Sequence, residues 1–249
     1  MTRSLLPAHR LRWGAAAWTV GVAQYFICQV VVAAQWKTSY SWTHNFISDL
    51  GNTACGPFTL PHGQTAYVCS PAHTTMNVSF VVSGILAAVG MVLLRPLWAK
   101  QRTVTVAYWL WLASAAGKVL VGLVPENTDV ALHTLGALNM PLSGLAVLLL
   151  SRRVAGVGRP WRRAGLALGR VGLIGATLSI TGQFTTHLPW GAGLSERLAS
   201  YPANAWMLLI GALALTRARS VAPDPEVSEL VVPSTAVPTP HPTAQNSAR

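Results

Sequence analysis

GLVPENTDVALHTLGA, residues 122–137, decides the fold. An apolar run over 104–124 leads into it, another over 130–150 leads out, and only PENTD separates them. Each run has the roughly twenty residues needed to cross a ~30 Å hydrocarbon core. With so tight a connection, the two runs must be neighbouring antiparallel helices. Pro125 suits a first helical position, and Glu126 and Asp129 suit a first turn beside the positive helix end. If the helix starts there, Glu126, Asp129 and His133 fall on one face at i, i+3 and i+7. Capping accounts for the two acids. It does not account for His133, about one turn into the span, where a polar side chain faces the bundle interior and is a functional candidate.

The same pattern of apolar runs extends in both directions. Further spans are expected over 14–34, 75–94, 164–186 and 198–216. The 249-residue chain is 51% hydrophobic and 10% charged, against about 25% charged in a soluble domain. Its mean hydropathy is +0.41. Ten tryptophans also fit a chain that crosses lipid interfaces. The fold class is therefore an all-α integral membrane protein, a six-transmembrane-helix bundle. The first run is too long for a cleaved signal peptide and lacks a clear small-residue cleavage site. Residues 1–13 read as an N-terminal segment, 14–219 as the transmembrane domain, and 220–249, rich in Pro, Ser, Thr and Val, as a disordered tail.

The cations set an orientation. Arg3, Arg10 and Arg12 precede the first span; Arg95, Lys100 and Arg102 separate the second and third. Arg152, Arg153, Arg159, Arg162 and Arg163 separate the fourth and fifth, and Arg217 and Arg219 follow the sixth. The opposite side has only Lys37 and Arg197. Cytoplasmic loops collect Lys and Arg, so both termini are expected in the cytoplasm and the protein in the plasma membrane, with lipids as partners. The +11 net charge is divided among membrane-flanking loops with no single basic stripe, so nucleic-acid binding is excluded.

Acids and histidines show the reverse bias. Asp49, Glu126, Asp129 and Glu196 fall on the outer side, as do His44, His62, His73, His133 and His187. Cys55 and Cys69 share the first outer loop, where an oxidising compartment favours a disulfide. Metal ligation with His62 and His73 is the rival, without a Cys-x-x-Cys spacing to support it. Cys28 reads as packing.

ISDLG after the first span, CSPAHTTMN entering the second, GLVPEN…H…GA and GLSERL resemble an uncharacterised bacterial and archaeal membrane family, domain of unknown function 998. The resemblance covers roughly residues 14–216 and leaves the tail outside. It implies an integral membrane protein with several helices and supplies no catalytic residue.

In SWTHNFISDLG (41–51), Ser41 or Thr43 can cap a short helix that Gly51 ends. His44 and Ser48, and Asn45 and Asp49, are then four apart; the plain alternative is that Asn45 and Asp49 only satisfy a turn. In QFTTHLPWGAGLSERL (183–198), Gln183 and His187 are four apart, Ser195 can cap the sixth span, Glu196 is either a capping acid or a site residue, and Arg197 reads as its partner or a lipid-head contact. Pro202 suggests a kink there, and Asn204 a buried contact. Lys118, the one lysine inside a span, either snorkels outward or pairs with Asp49 or Glu196. Gly165-x-x-x-Gly169, Ser79-x-x-x-Ser83 and Gly84-x-x-x-Ala88 are small-residue packing seams.

Three outer connections thus pair an acid with a histidine: Asp49 with His44, Glu126 with His133, Glu196 with His187. They are expected to wall one outward pocket. Two function classes fit. One is an enzyme acting on a lipid or lipid-linked substrate, with Asp49, Glu126, His133, His187, Glu196 and Lys118 as candidate catalytic groups. A divalent metal on Asp49, His133 and His187 is an option within it. The other is a transporter of small solutes, a proton-coupled one, or a sensor, to which Lys118, Asn139, Asn204, Pro141 and Pro202 are suited. No substrate and no oligomeric state follows from the sequence.

Overall fold

The computed structural model describes residues 8–59, 65–182 and 190–221. Helix α1 spans Ala8–Ala34, α2 His73–Leu94, α3 Arg102–Leu123, α4 Val130–Ala137, α5 Asn139–Ser151, α6 Arg159–Gly182 and α7 Ala192–Val221. With α4 and α5 taken together, six helical segments are long and apolar enough to cross a membrane. Each packs on its neighbour in the chain, and α7 packs back on α1, so the six close a ring. The chain is an all-α multi-pass membrane bundle, as expected. The expected tail beyond residue 221 lies outside the described residues.

Several helices start before their apolar runs. α1 begins at Ala8 and α6 at Arg159, because arginine is a good helix former. α7 begins at Ala192, not at 198. Ser195 is therefore inside the helix rather than its cap, fully buried, and it accepts from the Trp190 indole N–H at 3.0 Å. Pro202 lies inside α7, and the Asn204 amide donates to the Ser200 carbonyl at 2.9 Å.

The fourth span, expected as one helix over 130–150, is broken at Leu138. Pro141 has no N–H to donate and its ring crowds the carbonyl four residues back, that of Ala137. The Asn139 side chain amide instead caps the Gly136 carbonyl at 2.9 Å. Discontinuity at this depth is tolerated where the protein supplies replacement partners.

The core has two clusters. Trp206 is at the centre of the first, its ring centroid 5.2 Å from Trp111, 5.5 Å from Trp18 and 6.0 Å from Trp98. A buried indole needs an acceptor. Trp18 and Trp111 both donate to the Ala87 carbonyl, at 3.0 and 3.1 Å, and Trp98 to that of Leu150 at 3.2 Å. The assignment of the tryptophans to interfaces is thus half right. Trp13, Trp42, Trp109, Trp161 and Trp190 are exposed; Trp18, Trp36, Trp98, Trp111 and Trp206 are core. The second cluster holds Tyr25, Trp36, Ile47, Leu50, Met76 and Phe80.

Between α6 and its neighbours the seam is glycine. A methyl at Gly169 would press on Leu148 of α5, and one at Gly175 on the Leu198–Ala199 backbone of α7. Small residues let helix backbones approach closely where lipid offers no hydrophobic drive.

At one end, β1 (Gly56–Thr59) pairs antiparallel with β2 (Thr65–Val68), and the Cys55–Cys69 disulfide closes the hairpin. This hairpin end gathers the first loop, the 125–129 turn and the start of α7. The basic loops lie at the other end.

Candidate functional site

Residues 41–51 do not form the expected helix. A turn over 42–44 leads into a 3₁₀ helix at Ser48–Gly51. Asp49, 3% exposed, accepts from the Phe46 N–H at 2.9 Å and the Asn45 amide at 3.3 Å. The Asn45 Oδ1 accepts in turn from the Ser41 N–H at 2.9 Å. Such local side chain–backbone bonds compete with an α-helix ladder and explain why none forms. Burial pushes the Asp49 carboxyl up to about 6, against the Asn45 amide, the Phe46 N–H and the Arg197 charge, which all hold it down. The expected pairing with His44 is absent. His44 is exposed and bonds the hydroxyls of Ser41 and Thr43 at 3.0 and 2.9 Å.

The loop is fastened on three sides. To α2, the Asn77 amide donates to the Gly51 carbonyl at 2.9 Å. To the 125–129 turn, Thr53 N–H donates to Asn127 Oδ1 at 3.0 Å. To α7, Leu194 N–H donates to the Thr43 carbonyl at 2.8 Å, and the Ile47 N–H donates to Glu196 Oε2. Arg197, 6% exposed, donates to the carbonyls of Asn45 and Gly193 at 2.8 and 2.9 Å and to Tyr40 Oη at 2.5 Å. Gly191 (φ +85°) and Gly193 admit this approach, since a Cβ at either would strike the Thr43 or Asn45 carbonyl. Sequence reasoning read Arg197 as a partner for Glu196 or a lipid contact. Its fork of donors is instead a clamp on the loop.

The second wall is the turn before α4. The helix starts at Val130 and not at Pro125, and Asp129 is its N-cap, accepting from the Leu132 N–H at 3.0 Å. The expected i, i+3, i+7 face is therefore lost, and Asp129 is an exposed cap. Glu126, in the turn, is 7% exposed and its Oε2 has no hydrogen-bond partner. Burial first, then the Asp49 charge, push its carboxyl up to about 8, against the Ser48 hydroxyl beside it. His133 in the first turn of α4 is 6% exposed, and its Nδ1 lies 2.7 Å from the Val124 carbonyl. A carbonyl can only accept, so Nδ1 carries the proton and Nε2 keeps its lone pair.

Glu126, His133 and Glu196 come together. With Ser48 and Phe46 they line one end of a cavity of about 360 Å³, whose other end is Ala137, Leu138, Met140, Pro141, Ala176 and Ile180. The break at Leu138 opens onto this apolar end. Two of the three expected acid-bearing connections thus contribute lining groups, and the first contributes Ser48 in place of Asp49. Asp49 is set behind the wall and lines a smaller recess with His44 and Phe58. His187 lies outside the described residues, as does His62. Lys118 pairs with no carboxylate: its Nζ sits 3.7 Å from the centre of the Tyr25 ring. It lines a separate polar recess with Asn139, Ser143, Ser200 and Asn204. Among the described residues no three His, Cys, Asp or Glu side chains are grouped to hold a metal.

The model of a family described as "Protein of unknown function (DUF998)" matches residues 19–213, which include both walls and the helical ring apart from the start of α1 and the end of α7. No curated protein and no solved structure matches the chain.

Proposed function

The chain belongs to the DUF998 family, and we propose that it is an enzyme acting on a lipid or lipid-linked substrate by acid-base chemistry in the Glu126–His133–Glu196 cavity. One observation carries this reading. The cavity brings the ionisable groups Glu126, His133 and Glu196 together with a largely apolar lining from α4, α5 and α6, the mix required to seat a head group and a chain together. His133 Nε2 is the base, its ring fixed by the Val124 carbonyl. Glu126, which holds its proton near neutral pH, is the acid that returns one to a leaving group. Glu196 anchors the loop that closes the cavity. Asp49 acts from behind, through its charge.

The cation distribution supports an orientation with both termini in the cytoplasm of a plasma-membrane protein and the site facing outward. The disulfide agrees, since such bonds persist in oxidising compartments. Reporter fusions after Leu60 and Trp190 should read as extracytoplasmic, and those after Arg102, Arg159 and Arg219 as cytoplasmic.

For the activity, proteoliposomes containing acyl-labelled phosphatidylethanolamine, phosphatidylglycerol and diacylglycerol are incubated and followed by mass spectrometry. A product is expected that disappears in His133→Ala while the thermal unfolding profile is kept. Labelled lipids that stay unchanged for hours would count against the enzyme. The transport reading is favoured by the helix broken at Leu138 and the recess around Lys118. Its signature is solute accumulation in sealed vesicles without change in any lipid.

A further inference from the structure

The cavity's charge inventory goes beyond the general reading of a lipid site. Its ionisable lining groups are Glu126, His133 and Glu196, with no lysine or arginine among the described lining residues. The sequence 183–189, outside the described residues, contains neither. Two cations lie nearby and neither lines the cavity. Arg197 donates to the Asn45 and Gly193 carbonyls and to Tyr40, its charge reaching Glu196, and Lys118 lies on the Tyr25 ring in another recess. Asp49 adds a further negative group behind the wall, close enough to act on Glu126.

The hydrogen-bonding inventory points the same way. Among the described residues Glu126 Oε2 is buried without a donor, and leaving a buried acceptor unmet is costly, more so when it is charged. His133 Nε2 is an acceptor, because Nδ1 already donates to Val124. Glu196 accepts from the Ile47 N–H and lies beside that of Ser48. The hydroxyls of Ser48, Thr134 and Ser179 can both give and accept. At the ionisable end a phosphate, sulfate or carboxylate would meet the oxygens of Glu126 and Glu196 and the His133 Nε2 lone pair, whereas a group with several N–H donors would meet its complements there.

We propose that this cavity binds a primary ammonium group carried on a long apolar chain. The ammonium sits between Glu126 Oε2, Glu196 and Ser48, and the chain runs along Ala137, Met140, Pro141 and Ile180. A quaternary ammonium fits less well: it has no N–H for Glu126, and Phe46 is the one Phe, Tyr or Trp among the described lining residues, where such groups are recognised by aromatic cages. The proposal rests on the cavity being the substrate site and names that substrate's class.

The test uses the full chain in nanodiscs at fixed amphiphile mole fraction. Dodecylamine, dodecyltrimethylammonium, dodecanol and dodecanoate are compared by native mass spectrometry and thermal shift. Dodecylamine should bind about tenfold or more tighter than the other three, the range expected for one charge-assisted hydrogen bond. Glu126→Gln should erase that margin and leave dodecanol binding unchanged. Dodecanoate binding as well as dodecylamine, or an undiminished amine preference in Glu126→Gln, overturns the assignment. Should that variant not fold, the chain-matched comparison on the unaltered protein decides by itself. Turnover is scored separately: an amine preference without lipid turnover removes the enzyme and keeps the ligand, and His133-dependent turnover of an anionic lipid does the opposite.

Discussion

The half of the bundle nearer the basic loops is held by shape, with three indoles around Trp206 and their N–H groups on backbone carbonyls. The hairpin end is held by polar bonds from Asp49, Arg197, Asn77, Asn127 and Glu196 to a loop that has little regular structure of its own. Both halves bury large side chains, but they fail in different ways. In the first a lost atom leaves a hole; in the second a lost atom leaves a buried donor or acceptor without its partner. The hairpin end alone retains an unmet carboxylate oxygen facing a cavity. An end in which every acceptor was filled would have nothing left to offer a ligand.

The largest test of this contrast is Trp206→Ala. It should cost roughly 3–5 kcal/mol, read as unfolding in detergent, with the amine preference of the surviving folded fraction intact. A loss below about 1 kcal/mol would break the claim that the indoles are a packed core. Arg197→Ala comes next, at about 3 kcal/mol, because it strands the Asn45 carbonyl and the Tyr40 hydroxyl in a buried place. Arg197→Lys should recover only a minor part, since a point charge cannot reproduce the fork.

A pH series sharpens the comparison further. Glu126 titrates near 8 in the folded protein, above the usual carboxylate value, with Asp49, Glu196, Ser48 and His133 facing it. The folded state therefore binds this proton more tightly than the unfolded chain does. The resulting stabilisation is complete below the unfolded value near 4.5 and is lost as pH rises through 8, the reverse of a salt-bridged acid. Its slope is at most about 1.4 kcal/mol per pH unit. Between pH 5.5 and 7 the unaltered protein should lose about 2 kcal/mol relative to Glu126→Gln. Parallel profiles for the two would place Glu126 in water rather than in the cavity wall.

The smallest effect is expected at Asp49→Asn, which keeps an acceptor for Phe46 and should cost well under ~2 kcal/mol. If Asp49 reaches the cavity only through its charge, its effect should be non-additive with His133→Ala in turnover or binding. Simple additivity would reduce residues 43–51 to a turn.

Hydropathy was enough to read the six helices, because lipid demands a run of apolar residues that little else in a chain resembles. It could not separate interfacial from core tryptophan, since both Trp13 and Trp18 sit in one apolar helix and only packing tells them apart. The acid-histidine pairs were legible as pairs in chain order but not as contacts. Glu126 and His133 share the large cavity, while Asp49 and His44 share only a smaller recess and make no bond, because Asn45 and Phe46 take the carboxylate first. Arg197 was misjudged for a related reason: beside Glu196 in sequence it looks like half of an ion pair, yet successive residues on a helix point in different directions. Lys118 was expected either to snorkel outward or to pair with Asp49 or Glu196, and it lies instead on the face of Tyr25, a partner with no charge to announce it.

The bond between the Ile47 N–H and Glu196 joins residues 149 positions apart. At the usual synthesis rates of about 5–20 residues per second, roughly ten to thirty seconds separate the arrival of one partner from that of the other. Through that interval the first loop has its disulfide hairpin and its contacts to α2, but no α7 to receive the carbonyls of Thr43, His44 and Asn45. The site is consequently incomplete until the start of α7 has been made, whatever the order in which the helices enter the membrane. A nascent chain interrupted anywhere before residue 197 holds a loop with buried groups still unmatched, and is marked by that defect as unfinished.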